Sequence, residues 1–344
     1  MQVQQRWARW ILFAVGCAAG SFVSADAGSA NTVEPRPGQP VTIPTRFSAH
    51  RFVAMPTPDG GGNLTFLTDS AGGTIVFKDS VERLKLKTVE APGDGGRPVQ
   101  QAELPAFKPG AVIPPPLGTP GSRLLVIGAK AGEIPEFLRQ YDGLLGQQWF
   151  AGRVWTFDYP GKRLLWRAPG DLPRHDAAHE VKLGFRTTAE GKRETNFARL
   201  PVKIDGETLD FLFDTGASNL LPDEVLKEIG DGGPADRATS FLAQTQFEKW
   251  HKKHPQWRAL ENVKTLTGRA MIEVPEIIIG GYSVGPVWFT VQPDRAFHSY
   301  MASMMDKPTE GALGGSAFRQ LVITVDWPNA LAVFEKPSTS PNDR

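Results

Sequence analysis

Short β-branched and apolar runs, broken by glycine and proline, recur along most of this chain. Ile272-Glu273-Val274 and Ile277-Ile278-Ile279 lead to a Gly280-Gly281 turn, and Val287-Trp288-Phe289-Thr290-Val291 follows. Leu124-Leu125-Val126-Ile127 is a comparable run in the first half. Runs so short and so punctuated read as strands, and the pattern predicts an all-β protein. Two stretches depart from it. Residues 91–121, rich in proline and glycine, predict an irregular surface loop. Residues 234–262, with Phe241, Phe247, Trp250 and Trp257 set among charges, predict a helical insertion special to the second half.

The strand pattern repeats. Phe66-Leu67-Thr68-Asp69-Ser70-Ala71-Gly72 is matched by Phe211-Leu212-Phe213-Asp214-Thr215-Gly216-Ala217-Ser218, each an apolar strand ending in Asp and a small hydroxyl residue. Pro56 and Pro201 precede the two aspartates at equal distance, and each is followed by a turn, Asp59-Gly60-Gly61 or Asp205-Gly206. Ile75-Val76 and Leu220-Leu221 follow at equal offsets. Further on, Gly143-Leu144-Leu145-Gly146 matches Gly311-Ala312-Leu313-Gly314, Phe150 matches Phe318, and Asp158-Tyr159-Pro160 matches Asp326-Trp327-Pro328. A fixed offset between so many segments predicts a duplication. The expected order is a first lobe over 46–170, a linker over 171–177, a second lobe over 178–337 and a tail over 338–344. Two Asp loops related by a pseudo-twofold would form a carboxylate pair, suited to hydrolysis by activated water.

Composition narrows the alternatives. The formal net charge is +1, without a basic block, so nucleic-acid binding has no electrostatic footprint. Arg6 and Arg9, the apolar run from Trp10 to Val23 and the small residues at 23–27 predict a signal peptide over 1–27 and an exported, periplasmic or secreted protein. Ala14-Val15-Gly16-Cys17 resembles a lipobox, and lipidation at Cys17 is the one route by which a membrane partner is expected. Residues 28–45, polar and proline-rich, predict a flexible leader.

Residues 198–335 resemble the retropepsin-like aspartic proteases, through Asp214-Thr215-Gly216-Ala217-Ser218, Ile277-Ile278-Ile279-Gly280-Gly281, Gly311-Ala312-Leu313-Gly314 and Ile323-Thr324-Val325-Asp326. With the degenerate first copy the resemblance spans nearly the whole mature chain and implies a bilobed, pepsin-like, all-β fold of bacterial type. It further implies an endopeptidase with Asp69 and Asp214 as the catalytic pair, acting on peptide or protein substrates as a monomer with neither cofactor nor metal. Ser70 and Thr215 would bond across to the opposite loop, and Gly216, Ala217 and Ser218 would complete the second loop. Leu145-Gly146 and Leu313-Gly314 would thread beneath the two loops.

The first copy departs from the family pattern. It has Ala71 where a glycine is expected, unless the loop is shifted by one and Gly72 takes that role. No tyrosine lies between Asp69 and Tyr141, so a flap would use another residue or be absent. The alternative function is therefore an inactive relative that binds a peptide or envelope partner in the cleft. Other motifs carry less. His175 and His179 have a spacing that suits zinc but sit in the expected linker, and no Gly-x-Ser-x-Gly occurs. Asp158 and Asp326 are expected at solvent-facing turns, and Trp149, Trp155, Trp288 and Trp327 in the core.

Overall fold

The computed structural model describes residues 34–93, 97–117, 123–128, 136–261, 263, 268 and 270–337. The expected signal peptide, Cys17, the start of the leader and the tail lie outside the described residues.

Each lobe begins with a tight hairpin. Arg199–Ile204 turns at Asp205 and Gly206, both with positive φ, and returns as Glu207–Phe213. Two successive positive-φ residues give a turn whose twist matches paired strands. In the first lobe Thr45–Ser48 turns at Ala49 and His50, again both positive, into Arg51–Ala54, which then pairs with Phe66–Thr68.

Beyond the hairpins the two lobes share one strand order. Phe66–Thr68 runs parallel to Gly143–Leu145, which lies antiparallel to Ile75–Phe77. Ile75–Phe77 runs parallel to Leu124–Ile127, and Pro98–Ala102 and Thr88–Pro92 complete the sheet. In the second lobe Glu207–Phe213 is parallel to Gly311–Leu313, itself antiparallel to Ser240–Ala243, which is parallel to Val287–Gln292. Met271–Val274 and Ala259–Leu260 finish that half. The fold is thus all-β and bilobed, with two homologous lobes.

A six-stranded antiparallel sheet joins the lobes, in the order Val41–Thr42, Arg163–Arg167, Val154–Asp158, Val322–Asp326, Leu331–Glu335, Glu180–Lys182. At its centre Thr156 pairs with its own repeat partner Thr324, and their hydroxyls lie 2.8 Å apart. That pairing places the pseudo-twofold axis between them. Phe150, Phe157, Phe213, Phe318 and Trp327 pack edge-on, tilted or stacked around this axis and bury the floor beneath the Asp loops.

Strand pairing corrects several expectations. Ile75 faces Leu144 as Phe241 faces Ala312, so the repeat partner of Ile75-Val76 is Phe241-Leu242 and not Leu220-Leu221. The insertion in the second lobe is therefore about residues 218–238: strand Ser218–Leu220, helix Asp223–Ile229 and strand Asp236–Ala238. Helix Gln244–Lys253, expected to be part of an insertion special to the second half, follows its strand as helix Lys78–Leu84 follows Ile75–Phe77, and so belongs to the repeat. The prolines also miss each other by one. Val53 pairs with Leu67 and Arg199 with Leu212, which puts Met55 opposite the place of Pro201.

Residues 91–121 are not wholly irregular, because Pro98–Ala102 is a strand. The loop after it is partly interior: Ile113 is buried, and the Trp149 indole donates to the Pro114 carbonyl at 2.7 Å. The described end of the leader is also structured, with Val41–Thr42 paired in the interlobe sheet and Ile43 buried. Asp158 and Asp326 are buried rather than solvent-facing, and each accepts the backbone N–H three residues on, from Gly161 and Asn329, to close a turn. Trp149, Trp155 and Trp327 are core; Trp288 is half-buried against the cluster of Leu221, Val225 and Met271.

Candidate active site

The strands Phe66–Thr68 and Glu207–Phe213 each deliver an aspartate at their C-terminal end, beside the strand that crosses next to them. The Asp69 N–H donates to the Leu145 carbonyl at 3.0 Å and the Asp214 N–H to the Leu313 carbonyl at 2.9 Å. Gly146 and Gly314 come next, and neither position has room for a side chain. A Cβ would lie 2.2 Å from the Gly72 carbonyl oxygen in one case and 2.0 Å from that of Thr239 in the other. Their N–H groups donate to the hydroxyls of Thr74 and Ser240, both at 3.2 Å. Leu145-Gly146 and Leu313-Gly314 thus lie against the Asp loops and hold them from beside and beneath.

The two loops grip one another. Ser70 Oγ accepts the Thr215 N–H at 3.0 Å and donates to the Phe213 carbonyl at 2.7 Å. Thr215 Oγ1 accepts the Ser70 N–H at 3.1 Å and donates to the Thr68 carbonyl at 3.1 Å. Each hydroxyl is buried and spends its proton and a lone pair on the opposite lobe. Four bonds related by the pseudo-twofold leave little freedom for either aspartate.

The Ala71 N–H donates to Asp69 Oδ1 at 3.0 Å, and the Gly216 N–H donates to Asp214 Oδ1 at 3.1 Å. Ala71 therefore occupies the position of Gly216, and the loop is not shifted. The two residues differ in what surrounds them. A Cβ on Gly216 would lie 2.3 Å from Asp69 Cγ, so only glycine fits there. The Ala71 methyl instead packs on a second-lobe cluster of Phe197, Leu212, Ala243, Phe297, Met305 and Ala312.

The carboxyl groups of Asp69 and Asp214 share a hydrogen bond. Burial pushes the Asp69 carboxyl up to about 6, against a partial lowering by the Ala71 N–H and by Asp214. Asp214 is raised well above the ordinary carboxylate range, first by burial and then by the negative charge of Asp69. Two acidic groups this close do not both ionise in a dry setting, and their titration belongs to the pair. Above about pH 6 the pair holds one proton and one negative charge, with Asp214 the more strongly raised of the two.

Ala217 and Ser218 complete the second loop, and both are buried. Ser218 Oγ donates to the Gly216 carbonyl at 2.8 Å and accepts from Arg51 at 3.0 Å. Arg51, Thr74 and Ser240 are neighbours of the site that sequence reasoning missed; an arginine inside the apolar run Arg51-Phe52-Val53-Ala54 was the available signal. The hairpin of Thr88–Pro92 and Pro98–Ala102 carries no tyrosine, and its less exposed face presents Val89, Ala91, Val99 and Gln101. His175 and His179 diverge, His175 towards Glu180 and His179 towards the Gly280 carbonyl. Among the described residues no cluster of His, Cys, Asp and Glu has the makings of a metal site.

No protein-family model matches the chain, and no curated protein does. Solved structures resemble it in overall arrangement. An aspartic proteinase from Irpex lacteus has 9% identity and a TM-score of 0.46, covering 86% of this chain and 97% of its own. Basic 7S globulin from soybean has 10% identity and a TM-score of 0.41, over 89% and 97%. Conglutin gamma, a basic 7S globulin from lupine seeds, has 10% identity and a TM-score of 0.42, over 87% and 95%. At this level of likeness no residue's role passes from them to this chain.

Proposed function

We propose that this protein is an aspartic-type endopeptidase that hydrolyses peptide bonds with water activated by Asp69 and Asp214. The observation that carries this reading is the hydrogen-bonded carboxyl pair, buried and raised, and held by reciprocal bonds between Ser70 and Thr215. In the reaction Asp69 takes a proton from water as its oxygen attacks the scissile carbonyl carbon, and Asp214 protonates the carbonyl oxygen. The resulting gem-diol collapses as the Asp69 proton passes to the amide nitrogen, the C–N bond breaks, and a hydroxyl proton returns to Asp214. No metal or organic cofactor enters this scheme.

Both aspartates come from one chain, so a monomer suffices. The substrate is an extended peptide between the lobes, pairing its backbone with strand edges. The N-terminal pattern supports export to the periplasm or medium, with anchoring in the envelope if Cys17 is lipidated.

The test is incubation of residues 28–344 with a diverse peptide mixture in H2¹⁸O, from pH 3 to 7.5. The reading expects new C-termini carrying ¹⁸O, with cleavage weakening as the pH falls well below about 6, where Asp69 takes up a proton. Absence of cleavage by a folded sample would reject it in favour of a cleft that only binds its peptide or envelope partner.

A further inference from the structure

Arg51 is a charged residue almost fully out of water, with 1% of its surface exposed, at the start of strand Arg51–Ala54. Its guanidinium reaches from the first lobe into the second. Nη1 donates to Asp236 Oδ1 at 2.6 Å and to Ser218 Oγ at 3.0 Å, and Nη2 donates to the Asp236 carbonyl at 3.1 Å. Ser218 passes the contact on, since its own proton goes to the Gly216 carbonyl at 2.8 Å. Gly216 in turn donates its N–H to Asp214 Oδ1. Hydrogen bonds thus tie a first-lobe guanidinium to the Gly216 carbonyl, and the Gly216 backbone carries the connection on to the N–H that bonds the Asp214 carboxylate.

Among the described residues the other half of the site has no such connection. Strand pairing puts Phe197 in the place of Arg51, and Gly73 stands at the offset of Ser218. Asp236 belongs to the 218–238 insertion, which the first lobe lacks, and its strand pairs with Ser218–Leu220. The insertion is fixed to the first lobe at further points: Gln140 donates to Asp236 Oδ2 at 2.8 Å, and the Ala238 N–H donates to the Ala49 carbonyl at 3.1 Å. Ala49 and His50 hold positive φ in the turn that presents Arg51, a conformation non-glycine residues adopt only when their surroundings impose it.

We propose that Arg51 is a positioning residue for Asp214, acting through Ser218 and Gly216, and that the 218–238 insertion supplies the carboxylate, Asp236, that holds it in place. The proposal deepens the hydrolase reading and rests on it for its kinetic consequence. Its structural part stands apart from that reading: the grip between Ser70 and Thr215 orients both aspartates alike, whereas this chain acts on one. It adds to the asymmetry of a pair whose loops already differ at Ala71 and Gly216.

Ser218→Ala is the main test, because it cuts the chain while leaving the Arg51–Asp236 pair intact. Two readouts are taken: kcat and KM on a cleaved peptide, and the titration of the two carboxyls by ¹³C NMR on carboxyl-labelled aspartate. A loosened Gly216 N–H favours the ionised form of Asp214 less, so the pair should titrate at higher pH than in the wild type. Displacement of a reacting group lowers kcat, here by about tenfold, with KM little changed. Ser218→Thr, which keeps the hydroxyl, should restore both values, and Arg51→Lys should fall between. If the wild type cleaves nothing, the endopeptidase reading fails and the titration alone decides this proposal. An unmoved titration in folded Ser218→Ala overturns it whatever the activity, and so does a loss of rate that Ser218→Thr fails to rescue. Should Arg51→Lys not fold, the serine variants still decide.

Discussion

Ser70 and Thr215 each donate a backbone N–H to the other's hydroxyl, at 3.1 and 3.0 Å, so the residues that follow the two aspartates hold the lobes in register across the pseudo-twofold. Thr156 and Thr324 do the same in the sheet below, hydroxyl to hydroxyl at 2.8 Å. The axis is thus fixed at two heights, and the carboxyl pair sits on it because its neighbours do.

Removing one hydroxyl of the upper pair leaves buried partners unpaired. Thr215→Val keeps the shape and strands the Ser70 N–H, which should cost about 1–3 kcal/mol of stability. Urea unfolding checks the cost, and peptide cleavage should fall with it. Thr215→Ser retains the hydroxyl and should be close to wild type in both.

Ala71 and Gly216 occupy equivalent positions but should respond oppositely to exchange. Ala71→Gly loses a packed methyl and adds freedom to the unfolded chain, for about 1 kcal/mol of stability, with cleavage retained because the N–H to Asp69 remains. Gly216→Ala drives a methyl into Asp69 Cγ and should abolish cleavage. Equal tolerance at both positions would contradict the packing described here.

The pH dependence of stability follows from the raised carboxyls. A folded pKa of about 6 for Asp69 lies above the ordinary 3.8, so the folded state holds this proton more tightly than the unfolded chain. The stability this provides is full below about pH 3.8 and is lost as pH rises through about 6. Asp69→Asn should therefore lose less Tm than the wild type between pH 4 and 7 in parallel melts.

Tyr159 is buried among Phe47, Phe52 and Phe318, its hydroxyl without a hydrogen-bond partner among the described residues. Burial and the nearby charge of Asp214 push its pKa well above the usual phenol range. An orphaned hydroxyl contributes no bond to stability, so Tyr159→Phe should be neutral or stabilising by up to about 1 kcal/mol. Chemical denaturation decides this; a clear loss of stability would show that the hydroxyl has a partner.

The duplication and the location of the carboxyl pair were legible in the sequence because they rest on short, contiguous motifs. Phe211-Leu212-Phe213-Asp214 is a strand and its aspartate, and Gly311-Ala312-Leu313-Gly314 must be small where backbones touch. The insertion was misplaced because equal offset is a weak guide once one lobe has gained residues. Leu220-Leu221 matched Ile75-Val76 by count, but strand pairing gave that place to Phe241-Leu242. The consequence of Ala71 could not be read from its own segment, since the space for its methyl is lined by residues from 197 to 312. Arg51 went unseen for the same reason: its partners lie 167 and 185 residues away.

The central claim is that Asp69 and Asp214 act as one pair within one chain. Its most direct test compares Asp69→Asn and Asp214→Asn, each folded and monomeric, for turnover of a single peptide that the wild type cleaves. The account predicts that either substitution alone abolishes cleavage. Cleavage that survives Asp69→Asn and disappears only with Asp214→Asn would contradict it and point to second lobes pairing between two chains.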